Sequence, residues 1–143
     1  MDASTLGIMF TLRHNINEKE YIYMAKILYQ GTHGTDDPTR ASMPFHMALG
    51  AVEAGHTPEI GLAGDAVICI KDNIIDSVKG VGMPELKELF EKVLKEKIPI
   101  YIWGGCAEAR GVSESDLEGK NAKIVNPKIA SDLVVSNDRV VTF

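Results

Sequence analysis

Short β-rich apolar runs in this chain alternate with segments whose apolar residues recur at helical spacing, and that alternation limits the fold more than any other feature. Residues 21–29 are aromatic and β-branched, which predicts a first strand, and they end in the polar, glycine-bearing stretch 31–37. Asp37 is placed to cap a helix and Pro38 to occupy its first position, with Phe45, Ala48, Leu49 and Val52 recurring until Gly55. Residues 56–70 read as extended chain broken near 61–65, and the polar stretch 71–82 reads as a mobile loop. Pro84 opens the clearest helix: Leu86, Leu89, Phe90, Val93 and Leu94 make one stripe, while Glu88 with Lys92 and Glu91 with Lys95 pair outside it. Residues 98–103 form a second buried-strand pattern, and Pro99 puts its start at an edge or outside regular pairing. Ser113 to Asp116 is spaced like a capping box, Asn126-Pro127 starts a helix through Leu133, and Val134-Val135 with residues 140–143 supply a closing strand or hairpin. The expected fold is α/β, a three-layer α/β/α sandwich around a mainly parallel sheet of about five strands. Residues 21–143 are one domain behind an N-terminal extension, 1–20.

The chain has 143 residues, enough for one core without staples. A net charge of −5 gives no electrostatic case for nucleic acid or an anionic membrane as partner. Two cysteines in unrelated contexts make no disulfide framework, so a reducing cytoplasm is the expected compartment. The extension lacks the pattern of a secretory signal, and no apolar stretch is long enough to span a bilayer. Its Leu6, Ile8, Met9, Phe10 and Leu12 are expected to pack on the domain or on a neighbouring subunit.

Cys106 follows the second apolar run, separated from it only by Gly104 and Gly105. The glycines allow a sharp turn and a close backbone approach to a ligand, and residues 107–111 suit a single helical turn. A thiol at the end of a parallel strand stands where open α/β sheets place ligands. Thiolates are stabilised by helix N-terminal amides and by cations such as Arg110. Lowering any cysteine pKa by two units takes about 2.7 kcal/mol, of which a helix terminus supplies about 0.3–1 kcal/mol. Hydrogen bonds or a cation must supply the rest, against the opposing charge of Glu108. Cys69, in an unbroken apolar run, reads as core, as do Trp103 and the first-strand tyrosines. Met43 and Met47 read as helix packing and His46 as a core histidine. His14, His33, His46 and His56 fit no compact ligand spacing, so neither metal nor cofactor is expected. Gly80-Val81-Gly82 lacks the lysine and spacing of a phosphate loop.

The stretches 31–38, 54–56 and 62–67, followed by 98–112 with its cysteine, resemble DsrE/DsrF-like proteins in order and spacing. The resemblance covers roughly residues 21–143. It implies a doubly wound α/β domain that assembles into homo-oligomers, trimers or hexamers. It also implies that Cys106, matching the family's sulfur-relay cysteine, carries sulfur as a persulfide or thiosulfonate between donor and acceptor proteins or small sulfur compounds, as a sulfurtransferase or carrier. Gly104, Gly105 and Arg110 would then bind the donor, with His33 and Asp36 across the mouth of the site. No second cysteine lies beside Cys106, so a two-cysteine relay within that loop is excluded. The alternative is a non-catalytic oligomeric module of the same fold that binds a small anion or a nucleotide.

Overall fold

The computed structural model describes residues 23–143; the extension 1–20, with its apolar side chains and His14, lies outside the described residues. Five strands run parallel in the order β4-β3-β2-β1-β5. The strands are β1 (Lys26–Gly31), β2 (Thr57–Leu62), β3 (Ile100–Trp103), β4 (Ala122–Val125) and β5 (Arg139–Thr142). Between them come α1 (Pro38–Glu53), a 3₁₀ segment Gly64–Ile70, α2 (Asp72–Ile75), α3 (Leu86–Lys95), α4 (Gly104–Ala109), a 3₁₀ turn Glu114–Leu117 and α5 (Pro127–Ser136).

Strands β1 to β4 step across the sheet in one direction, so right-handed crossovers put α1 and α3 on one face. The return from β4 to β5 reverses direction and puts α5 on the other. The first face is the core: Tyr29, Ile60, Leu62, Ile100 and Ile102 meet Phe45 and Ala48 of α1 and Leu86, Leu89, Phe90 and Val93 of α3. The Phe45 and Phe90 rings lie 5.5 Å apart between the two helices. The second face is more polar. Buried Glu59 is held there by Lys26 Nζ at 3.2 Å and by Asn137 Nδ2 at 3.0 Å.

Local signals decide most element ends. Asp37 caps α1 by accepting from the Arg40 amide, and Asn126 caps α5 by accepting from the Ile129 amide. The Ser113 to Asp116 capping box is present. Pro99 sits before β3, where its carbonyl still accepts from the Ile60 amide and its missing N–H breaks no ladder.

Several expectations are corrected. Strand β1 begins at Lys26; Tyr23 and Met24 before it are exposed, and Tyr21 lies outside the described residues. Residues 64–70 are 3₁₀ helix rather than extended chain, because Gly64 turns out of the sheet at φ +55° right after Ala63 donates to Gly31. Ala66, Val67, Cys69 and Ile70 are buried all the same, and a short apolar run buried in this way cannot be told from a strand by periodicity. The expected loop 71–82 contains α2. Strand β4 was not foreseen, and Val134-Val135 belong to α5 rather than to a closing strand. His46 is exposed rather than core, and Met47 is 44% exposed. Lys120 ties the lower edge together: its ammonium reaches the carbonyls of Ile70 and Asp116, each at 2.8 Å, and Asp72 at 2.6 Å.

Candidate functional site

Chain leaving β3 goes to the α1/α3 face, while chain leaving the adjacent β4 goes to the opposite face, so a crevice opens at the carboxyl ends of these two strands. A cavity of about 490 Å³ occupies it, within the usual range of small-molecule sites. Its lining brings together Gly104, Gly105 and Cys106 from the start of α4 with Trp103, Val125 and the inner side of α5.

Helix α4 begins directly at Gly104, so Cys106 lies within its first turn instead of ahead of it. A Cβ on Gly104 would come within 3.1 Å of the Val125 carbonyl, so a side chain there would push α4 and β4 apart by a few tenths of an ångström. A Cβ on Gly105 would meet nothing within 4 Å, which leaves its backbone open. Cys106 is a free, partly exposed thiol. Cys69 is a free thiol with no exposure, and burial, with the charge of Asp36, pushes it up to about 12. The two cysteines thus differ in setting, one partly exposed and the other sealed in the core.

Arg110 stands one turn beyond Cys106, and its guanidinium is engaged. Nε donates to Asp65 at 2.8 Å, and a terminal nitrogen donates to the Cys106 carbonyl at 3.3 Å. It fastens α4 to the 3₁₀ segment and does not line the cavity. His33 and Asp36 bond to each other at 2.7 Å in the loop after β1, and Asp36 also accepts from the Gly34 amide. These two bonds hold the Asp36 carboxyl below its ordinary range. That loop packs on the 3₁₀ segment through Gly34, whose Cβ would collide with the Asp65 carbonyl. The cavity lining therefore unites Gly104, Gly105 and Cys106 and leaves Arg110, His33 and Asp36 outside it.

Trp103 is not the core residue its apolar run suggests; it forms a wall of the cavity and is only half-buried. Its indole lies across Gly61 of β2, where a Cβ would come within 3.0 Å of the ring. The signal in the sequence was Gly61 itself, since a glycine inside a strand marks close approach by another group. Among the described residues no three His, Cys, Asp or Glu side chains are grouped to hold a metal, and His56 accepts from the Ala25 amide. Gly80-Val81-Gly82 does not run into a helix; the Val81 amide donates to Thr39 of α1. Among the described residues no helix is long and apolar enough to cross a membrane.

Comparison with known proteins agrees with this architecture. The YchN protein of E. coli superposes with a TM-score of 0.61 at 15% identity, covering 85% of this chain and all of that one. BT1422 of Bacteroides thetaiotaomicron, a conserved protein of unknown function, gives 0.59 at 15% identity, covering 83% and 95%. At such identities these likenesses speak for the fold alone. The uncharacterized protein MJ0760 of Methanocaldococcus jannaschii is 32% identical over 87 residues, which are 61% of this chain and 32% of that protein. The chain thus spans about a third of the curated relative it matches. Residues 25–143 match the DsrE/DsrF-like family, and the chain, with its parallel sheet and its cysteine at the end of β3, belongs to that family.

Proposed function

We propose that the protein is a sulfur carrier that holds sulfur as a persulfide on Cys106 and passes it to a partner thiol. One observation carries the reading: the partly exposed thiol sits at the lip of a cavity at the carboxyl ends of β3 and β4, while the other cysteine is sealed in the core. The reaction is nucleophilic exchange. Cys106 thiolate attacks the outer sulfur of a donor R–S–SH; the donor S–S bond breaks as the new one forms, and R–S⁻ leaves with the electron pair. An acceptor thiolate then attacks the outer sulfur of Cys106–S–SH and leaves as its own persulfide, regenerating the Cys106 thiolate. No net oxidation occurs in either step. A role as an oligomer in a reducing cytoplasm accompanies this reading, with exposed Val135, Val140 and Val141 on α5 and β5 offering the apolar contact.

Intact mass after incubation with persulfide, thiosulfate or tetrathionate tests it, with Cys106→Ser and Cys69→Ser alongside. A reductant-reversible adduct lost only in Cys106→Ser is expected. An adduct that persists in Cys106→Ser, or none with any donor, would overturn the carrier role.

A further inference from the structure

The open cavity beside Cys106 is lined by uncharged groups. Trp103, Val125, Pro127, Ala130 and Val134 are apolar, and Gln30, Asn126 and Ser131 are neutral. The cations on its building elements are engaged elsewhere. Lys26 of β1 pairs with Glu59, Lys123 of β4 lies over the Tyr101 ring, Arg110 after α4 pairs with Asp65, and Lys128 of α5 pairs with Asp132. The amino end of α5 borders the cavity, yet its capacity for an anion is blunted. Pro127 has no N–H, the Ile129 amide is taken by the Asn126 side chain, and the Ala130 amide by the Asn126 carbonyl. An anion placed here would meet no cation and only the backbone at the short α4 start, Gly104 and Gly105, to replace its hydration, whereas an aromatic or branched alkyl group would gain contact with the indole.

We infer that the site takes sulfur compounds whose organic part is uncharged and apolar, an aryl or branched-alkyl persulfide or thiol, in preference to anionic carriers such as thiosulfate or glutathione persulfide. The inference rests on Cys106 as the sulfur-bearing atom, but the cavity's preference can be read without any sulfur transfer. Trp103 is the chain's one tryptophan and stands in the cavity wall, so its emission reports occupancy directly.

In Cys106→Ser, titration with benzyl methyl sulfide should shift Trp103 emission saturably, and 4-(methylthiomethyl)benzoate should bind about tenfold or more weakly. Ser131→Lys, an exposed change on α5 that places a cation at the lining, should erase or invert that ratio. Equal or tighter binding of the carboxylate, a ratio unmoved by Ser131→Lys, or no emission change with either probe would each overturn the inference. With the wild-type chain, benzyl persulfide should label Cys106 faster than glutathione persulfide. If neither persulfide transfers sulfur while the neutral probe still binds selectively, the carrier reading fails and the cavity's preference stands.

Discussion

Replacing Gly61 with alanine tests the wall of the cavity through a single methyl group. The added Cβ would lie 3.0 Å from Cη2 and 3.2 Å from Cζ3 of Trp103, and 3.5 Å from Leu28 Cδ1. Carbon atoms sit comfortably at about 3.5–4.0 Å, so the indole must retreat by roughly 0.5 Å or more, while Leu28 stays put. Overpacking of this kind costs about 1–3 kcal/mol. The lower backbone entropy of the unfolded alanine chain offsets about 0.5–1 kcal/mol. The net expectation is a loss of up to about 2.5 kcal/mol, centred on about 1 kcal/mol, with each kcal/mol lowering Tm by roughly 3–6 °C at this chain length. Urea unfolding gives the free energy, and Trp103 emission in the native state reports the displaced ring. Trp103→Phe removes the colliding atoms, so the double variant should recover most of the loss in a thermodynamic cycle. Unchanged or raised stability in Gly61→Ala, with native emission unmoved, would refute the placement of the indole across β2.

Cys106 should react with iodoacetamide in the native protein, while Cys69, pushed up to about 12 by burial, should react only upon unfolding; both rates are read by peptide mass mapping. The Ser113 amide and then the Lys71 ammonium hold the Asp116 carboxyl below its ordinary value of 3.8. Its stabilising contribution is therefore present above that value and fades as pH falls through the lower folded pKa, so Asp116→Asn should flatten the acid limb of a stability-against-pH curve. At neutral pH, Asp116→Ala should lose about 0.5–2 kcal/mol in urea unfolding through the missing cap. Phe45→Ala, which empties the ring contact between α1 and α3, should lose about 3–5 kcal/mol in the same assay.

The fold was legible where local chemistry is decisive. Asp37-Pro38, Asn126-Pro127 and the Ser113 to Asp116 box satisfy helix amides within three residues of themselves, and the 86–94 stripe needs only one apolar neighbour to become a buried face. Local pattern failed where burial comes from elsewhere. Residues 64–70 are apolar enough for a strand, but the sheet beside Leu62 is already filled by Ile102, and Gly64 directs the chain over the top instead. Strand β4 has only Ala122, Ile124 and Val125 to announce it, and it exists because β3 offers an open edge.

At the site, the sequence by itself determined that a thiol follows two glycines at the end of a buried strand, since that is a matter of neighbours along the chain. It determined too that a mainly parallel sheet would result, because strands alternating with helices leave few other arrangements. Only the tertiary structure decided which groups share the cavity with that thiol. Arg110 lies four residues away, yet it turns to Asp65, because an ion pair that also holds the Cys106 carbonyl gives its guanidinium more partners than an open cleft does. Trp103 enters the wall because Gly61, one position before the end of β2 and paired with Tyr101 in the sheet, leaves room for an indole although it is far away in sequence. Proximity along the chain governs caps and turns; the contents of a cavity depend on which strands and helices the core brings side by side.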